Sequence, residues 1–314
     1  MDALTLTFGI LAAIILFLFG LQGFAHEVQA HSQKTLQVWL GKVTRHRFLG
    51  FLLGAVSTAV VQSSSAVSSI TVALVGSGVI SFRQSLAVLF GANVGTTATA
   101  WLVAFKLTDI GPFFLVIGGL LSILPGRMKV IGKSLFYFGF IFFSLGLISQ
   151  SLEPLQDSPA FNAWLQLVES PWAGVLVGMV ITLILQSSSV TTGLIILLVQ
   201  QGLMTADVAI AVVIGANLGS TGTALLASLP LQHEALRAAV ANVLFNLGGL
   251  LLWAPFIPEL SRVITGAVET PAMAVAMAHV LFNLSTAVLF LVFLKPFASG
   301  MDRLLPPRPV TSPP

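Results

Sequence analysis

Two copies of a Gln-Ser-Ser-Ser tetrapeptide stand out in this sequence, at Gln62–Ser65 and Gln186–Ser189. Each places one carboxamide and three hydroxyls in an otherwise apolar stretch, where polar groups are costly unless they bond to one another or to a polar guest. Their N–H and O–H groups suit an anion, and their oxygens suit a small hard cation. With no Arg or Lys in the flanking segments, an anion would be held by neutral donors and bound cations together, which is how coupled transport arises.

The tetrapeptides belong to a longer internal repeat without gaps. Residues 50–104 align with residues 174–228 at a constant shift of 124. The identities concentrate at polar and Gly positions, where a generic apolar composition would not produce them, so gene duplication is the explanation that we favour. Besides the tetrapeptides, the shared positions include Gly54 and Gly178, Thr58 and Thr182, Gly91-Ala92-Asn93 and Gly215-Ala216-Asn217, and Thr99 and Thr223.

The composition of the chain indicates a membrane protein. Hydrophobic residues make up 56% and charged residues 8% of the 314 residues, whereas soluble domains are about 25% charged. Cys is absent, which excludes disulfides, thiolate nucleophiles and Cys-ligated metals. The net charge of +3 resides in short loops, a pattern that indicates membrane orientation and no nucleic-acid partner.

Segment lengths divide the apolar sequence into hairpins and crossings. The arms beside each tetrapeptide are roughly 22 Å long as helices, and the hydrocarbon core is about 30 Å thick. We therefore predict two re-entrant hairpins, whose tips must be surrounded by protein or a water-filled cavity. Their arms are Phe48–Val61, Ala66–Ile80, Trp172–Leu185 and Val190–Leu203. About seven crossing helices are predicted: Leu4–Phe24, Gln84–Phe105, Ile110–Leu124, Ser134–Leu152, Asp207–Leu229, Ala235–Phe256 and Ala272–Leu294.

Three predicted crossings separate the hairpins, so the hairpins must enter from opposite membrane faces. The predicted fold is thus an all-α polytopic membrane protein with an inverted-topology repeat and two opposed re-entrant hairpins. Basic residues gather on one side of this topology, which places the N-terminus outside and the C-terminus in the cytoplasm, in the inner or plasma membrane. The predicted divisions are repeat unit 1 at 1–133, repeat unit 2 at 134–297 and a disordered tail at 298–314.

Two other interpretations of the hydroxyl clusters remain. Ser and Thr often hold membrane helices together, and Gly lets helices approach closely, so a non-transporting scaffold could carry these residues. Two copies, each followed at the same spacing by Gly-Ala-Asn-x-Gly-[Ser/Thr]-Thr, favour a ligand site instead. An enzyme is not expected, because neither Ser64 nor Ser188 has a His or Asp nearby in sequence to act as a base. His279 is interpreted as a hydrogen-bonded core residue, with a proton-linked switch as the alternative.

The doubled Gln-Ser-Ser-Ser with its following Gly-Ala-Asn-x-Gly-Thr-Thr resembles the type II sodium-dependent phosphate (Na/Pi) cotransporter family, over residues 15–297. The compact first half is similar to bacterial members, so we expect a bacterial-type member without a C-terminal regulatory domain. The resemblance implies secondary-active, sodium-coupled symport of inorganic phosphate by alternating access. It implies phosphate, sodium ions and the lipid bilayer as partners and no cofactor beyond sodium as coupling ion. Transport of another small anion, phosphate export and a non-transporting scaffold remain alternatives, and a homo-oligomer stays open.

The resemblance also implies roles for individual residues, carried over by position. The phosphate site would comprise Gln62, Ser63, Ser64, Ser65, Ser187, Ser188 and Ser189. The sodium site would comprise Gln186, Ser187, Ser220 and Thr223, with no other metal. Supporting positions are Asn93, Thr96, Thr97, Thr99, Asn217 and Thr221. The first unit lacks the His-x-x-Phe-Asn pattern of 279–283 and an acidic residue within 110–124, so we expect the second copy to dominate ion binding.

Overall fold

A computed structural model describes residues 3–44, 46–105, 107–155 and 170–307, together with 158, 159, 161 and 163. These residues form α-helices and short 3-10 turns, and they contain no β-strand. The described helices are α1 Ala3–Val43, α2 Arg47–Val61, α3 Ser64–Gly76, α4 Phe82–Ala104, α5 Gly111–Ile123, α6 Arg127–Leu152, α7 Pro171–Leu185, α8 Ser188–Gln200, α9 Ala206–Ser228, α10 His233–Trp253, α11 Ile257–Ala267, α12 Pro271–Val292 and α13 Leu294–Leu304.

The helix lengths confirm an all-α polytopic membrane protein. Within the described residues, six helical segments are long and apolar enough to cross a bilayer, and each coincides with a predicted crossing. The segment predicted as a further crossing, Ile110–Leu124, contains the 13-residue helix α5, which at about 20 Å is shorter than the hydrocarbon core. A 3-10 turn at Leu107–Ile110 precedes α5, Pro112 lies in its first turn, and the helix packs along α6. The number of apolar residues therefore overstated the length of this helix.

The prediction of a disordered tail at 298–314 is wrong for its first part, which is helical. The helix α13, Leu294–Leu304, occupies the first part of the predicted tail and buries Ala298 and Met301. Its Asp302 pairs with the buried guanidinium of Arg237 in the second turn of α10. Apolar burial and this ion pair order a segment whose composition looked polar. Residues 308–314 lie outside the described residues.

The two predicted hairpins are pairs of short helices, α2 with α3 and α7 with α8, each broken at its tetrapeptide. The second helix of each pair begins inside the tetrapeptide, two residues earlier than predicted, because Ser63 and Ser187 act as N-caps. Ser64 and Ser188 are thereby first residues of helices. The re-entrant position of these pairs in the bilayer stays a prediction.

Each first arm packs along the Gly-rich helix of its own unit. A Cβ atom on Gly91 of α4 would overlap the carbonyl oxygen of Phe51 in α2, and a Cβ on Gly215 of α9 would overlap that of Val175 in α7. These two contacts are related by the 124-residue shift. Only Gly permits such an approach, so the duplicated glycines fix where each hairpin lies against its neighbour.

The two units also contact each other. Thr99 of α4 lies beside Ser189 of α8, and Gln200 of α8 donates to the carbonyls of Val103 and Ala104. Because the contact positions rise together, α4 and α8 run in the same direction. The predicted inversion, with hairpins entering from opposite faces, stays a prediction. The predicted boundary at 133/134 falls inside α6, and both α10 and α12 contact α4 and α9, so the described units are interleaved.

Gly91→Ala tests this close packing. We expect a loss of stability of about 1–3 kcal/mol, because the added methyl group must push α2 from α4. The measurement is the thermal unfolding of the detergent-solubilised protein. Gly9→Ala is the matched control, because Gly9 is also helical and has open space around its Cβ position. Equal stability of the two variants would contradict the role assigned to Gly91.

Candidate functional site

A cavity of about 370 Å³ lies between the two tetrapeptides and the middle of α1. Both tetrapeptides line it in full, so the structure brings together every residue predicted to bind phosphate, along with Gln186. None of the described residues that line this cavity carries a charge. The lining consists of Leu18, Leu21, Gln22, Ala25, Gln62, Ser63, Ser64, Ser65, Ile184, Leu185, Gln186, Ser187, Ser188, Ser189 and Val190.

The tips of the hairpins share one backbone conformation. Gln62 and Gln186 have φ of 56° and 54°, and among the described residues they are the only non-Gly residues with positive φ. Each ends its helix with a backbone N–H bond to the Thr carbonyl four residues earlier. A left-handed conformation is strained for a residue with a Cβ and persists only where its surroundings enforce it. Its presence at both tips indicates that the duplicated packing imposes the reversal.

The Ser after each Gln completes the break. Ser63 and Ser187 are extended, and their hydroxyl oxygens accept hydrogen bonds from the backbone N–H groups of Ala66 and Val190. The chain therefore reverses within two residues and starts a new helix at the cavity wall.

Two helix N-termini consequently meet at one cavity. The first backbone N–H groups of α3 and α8 have no partner within their helices. Each helix N-terminus carries the equivalent of about half a positive charge, which attracts an anion. The hydroxyls of Ser64 and Ser65 and of Ser188 and Ser189 line the same space and add further donors. The site is thus electropositive without a cationic side chain.

The two carboxamides differ in their contacts although their backbones match. Gln62 is buried, and its Oε1 accepts a 2.8 Å hydrogen bond from the hydroxyl of Thr99 in α4. Gln186 is exposed at the cavity. Thr223 corresponds to Thr99, yet its buried Oγ1 has no hydrogen-bond partner among the described residues. The two copies of the repeat therefore differ in the hydrogen bonding and exposure of their Gln side chains.

The predicted sodium residues divide into two groups. Gln186 and Ser187 line the cavity, whereas Ser220 and Thr223 do not. The hydroxyl of Ser220 donates to the carbonyl of Asn217 within its own helix. Thr223 lies one turn beyond Gly219, which contacts Thr182 near the end of α7. The unpartnered Thr223 hydroxyl is therefore on the face of α9 that packs against the second hairpin.

The predicted supporting residues contact groups outside the tips. Thr96, Thr97 and Thr221 each donate to a carbonyl of their own helix. The side-chain amide of Asn93 donates to Asn242 Oδ1 in α10 at 3.2 Å. Asn217 Oδ1 lies 3.2 Å from His279 Nε2 in α12. The interpretation of His279 as a hydrogen-bonded core residue agrees with this contact and its burial.

These pairs expose a second repeat that sequence reasoning missed. Val-Leu-Phe-Asn-Leu occurs at residues 243–247 and again at 280–284, a shift of 37. At this shift Asn242 corresponds to His279, so each duplicated Asn of the Gly-Ala-Asn motifs pairs with the residue before one copy. The repeated pentapeptide was the available signal. Gln22, which lines the cavity from α1, was also missed, and a polar residue within an apolar stretch was its signal.

Comparison with known proteins places these features in a family. The family model described as Na+/Pi-cotransporter matches residues 16–150 and again residues 147–267. YqeW of Bacillus subtilis, named only as an uncharacterized protein, is 32% identical over 298 residues, covering 94% of this chain and 97% of YqeW.

Two named transport proteins are also similar to this chain. The "Putative inorganic phosphate export protein YjbB" of Escherichia coli is 28% identical over 265 residues, and the match covers 83% of this chain and 49% of YjbB. This chain thus spans about half the length of YjbB. The mouse "Sodium-dependent phosphate transport protein 2C" is 34% identical over 154 residues, or 47% of this chain and 24% of that protein. No solved structure matches the chain.

A double-mutant cycle tests the Asn93–Asn242 pair. Asn93→Leu or Asn242→Leu alone leaves a buried polar group without its partner, which costs about 1–3 kcal/mol. The double variant removes both polar partners, and we expect it to recover part of the loss as a coupling of at least about 0.5 kcal/mol. Thermal unfolding of the solubilised variants gives both values. Strictly additive losses would show that the two amides do not interact.

Proposed function

The chain belongs to the Na+/Pi-cotransporter family, and we propose that it carries inorganic phosphate across the membrane by secondary-active, sodium-coupled alternating access. The observation that supports this most strongly is the convergence of both tetrapeptides on one uncharged, donor-rich cavity. The family is a family of transporters and not of enzymes. The geometry offers binding groups for ions and, among the lining residues, no acid or base.

Phosphate is the anion that this cavity suits. Its four oxygens accept hydrogen bonds in several directions, and the cavity presents hydroxyls and helix N-termini from two opposing hairpins. The cavity volume of 370 Å³ leaves room for water beside the ion, since one water occupies about 30 Å³. Donors from both hairpins would hold one phosphate between them, so that its binding depends on both units.

Sodium supplies the positive charge that the cavity lacks. Two helix N-termini amount to about one positive charge, less than a phosphate dianion requires in a dehydrated site. The Gln186 carboxamide oxygen, the Ser187 hydroxyl and the unpartnered Thr223 hydroxyl are neutral oxygen ligands of the kind that hard cations prefer. The carbonyl end of α7 adds negative dipole there. Each ion would thus favour the binding of the other, which couples their movement.

The arrangement of the helices supports alternating access. Broken helices at the junction of two repeats are a recurrent design in secondary transporters, in which one repeat moves against the other around a central site. The direction of net transport is a separate matter. The name of YjbB supports export of phosphate as a second candidate, because the match to that relative covers 83% of this chain.

Transport by purified protein in phosphate-loaded or phosphate-free liposomes tests the proposal. We expect radiolabelled phosphate to move with an imposed sodium gradient, and its initial direction to report import or export competence. Gln186→Ala removes a proposed sodium ligand and should raise the sodium concentration for half-maximal transport by about tenfold or more. Gln150→Ala, an exposed Gln at the end of α6, is the control. Phosphate movement indifferent to sodium would refute the coupling, and phosphate binding without movement would favour a scaffold.

Ser64→Ala and Ser188→Ala test the shared anion site. Each removes one hydroxyl from the first residue of a cavity-facing helix, and hydrogen bonds to charged groups are worth about 1.5–3 kcal/mol. The KM for phosphate should therefore rise at least tenfold in both variants. Ser285→Ala is the control, because the Ser285 hydroxyl donates to a carbonyl of its own helix α12. An effect confined to one hairpin would contradict a site shared by both units.

A further inference from the structure

We propose that Thr99 and Thr223 act alternately, so that in each of the two access states one of them donates a hydrogen bond to the Gln of its own hairpin. We call each Thr–Gln pair a latch, which is closed when this hydrogen bond is formed and open when it is not. In the conformation described here the Thr99 latch is closed and the Thr223 latch is open. This inference rests on the proposed alternating access and adds the residues that stabilise each state. Both threonines act as positioning residues that hold a hairpin tip through a hydrogen bond.

The closed latch connects both hairpins through one hydroxyl. The Thr99 hydroxyl donates to Gln62 Oε1 at 2.8 Å, and its oxygen lies 3.3 Å from Ser189 Oγ in the other hairpin. A hydroxyl has one hydrogen and two lone pairs, so Thr99 accepts from Ser189 while it donates to Gln62. All three side chains are at most 8% exposed. Thr99 therefore holds the first tip against both its own unit and the start of α8.

The open latch consists of the residues that correspond by sequence to those of the closed latch. At the shift of 124, Thr223 corresponds to Thr99, Gln186 to Gln62, and Ser65 to Ser189. Gln186 has almost the same φ and ψ as Gln62, 54° and 25° against 56° and 27°. Yet Gln186 is exposed, and the buried Thr223 hydroxyl has no partner among the described residues. A buried hydroxyl without a partner is unfavourable. The bond between Thr99 and Gln62 shows the contact that would satisfy Thr223, namely a hydrogen bond to Gln186.

Exchange between the two latches follows from the duplication. Closing the Thr223 latch would move the Gln186 carboxamide from the cavity onto α9, the position that Gln62 has on α4. In this second conformation the two units would exchange their contacts. Thr223 would lie between Gln186 and Ser65, and the hydrogen bond between Thr99 and Gln62 would be broken. Two states built from equivalent contacts are near in free energy, which is the condition for a ligand to shift their populations.

The Thr223 latch also competes with the proposed sodium site. The hydroxyl of Thr223 and the carboxamide oxygen of Gln186 would both point their lone pairs at a bound sodium ion. The same two groups bond to each other in the closed latch, with the hydroxyl as donor. Sodium would therefore keep this latch open, and loss of sodium would let it close.

Side-specific thiol labelling measures the two populations directly. The chain contains no Cys, so Ala25→Cys in α1 places a single thiol at the cavity. A membrane-impermeant maleimide is added to one side of proteoliposomes at a time, without phosphate or sodium. We expect Thr99→Val to lower the labelling rate from the side to which this cavity opens by about 2- to 10-fold. Thr223→Val should change that rate in the opposite direction, and labelling from the other side should show the reverse pattern.

Matched variants separate this effect from general damage. Ser85→Ala in α4 and Ser228→Ala in α9 each remove a fully buried hydroxyl that donates to its own helix, and neither should alter labelling. Thr99→Ser and Thr223→Ser keep the hydroxyl and should restore the parent rates. Shifts in the same direction for both Val variants, or no shift in either, would overturn the proposal. Labelling needs no substrate, so opposite shifts in a protein that fails to move phosphate would refute the proposed function and leave the latches in place.

Discussion

The break in each helical hairpin is the constraint on which the rest of the structure depends. Gln62 and Gln186 adopt a left-handed backbone, and the following Ser caps a new helix. This reversal takes two residues and leaves helix N-termini facing a cavity inside an apolar molecule. Unsatisfied backbone groups inside such a molecule require protein or water around them. The need to satisfy these groups explains why both tips meet and why polar side chains line the space between them.

Duplicated glycines and asparagines hold these breaks in place. Gly91 and Gly215 let each first arm lie directly against the next long helix. Asn93 bonds α4 to α10, and Asn217 bonds α9 to α12. The helices α10 and α12 carry their own shorter repeat. The tips are thus positioned by rigid helix contacts, and small residues make those contacts possible. Rigid helix contacts of this kind hold each tip in a defined position at the cavity.

The cavity is lined by uncharged residues, and this limits the charge with which it can stabilise an anion. Helix N-termini and hydroxyls attract an anion, but they supply less charge than a phosphate dianion carries. In the proposed mechanism a cation bound by neutral oxygens would supply the missing charge, so that the binding of each ion would favour the binding of the other. Gln62 and Gln186 have the same sequence context but different contacts, since Gln62 is bonded to Thr99 and Gln186 is exposed at the cavity.

The sequence alone determined the membrane class, the duplication and the two tetrapeptides that line the cavity, because identical polar residues at a constant shift of 124 are visible without coordinates. The sequence analysis overstated the length of α5, because a count of apolar residues does not show where a turn begins the helix. It also missed that α13 is helical, because the ion pair that holds this helix joins residues far apart in sequence. The pairing of Asn242 with Asn93, and of Thr99 with Gln62, required the tertiary structure. Such contacts join residues far apart in sequence, and only the packing of helices decides which of two equivalent hydroxyls finds its partner.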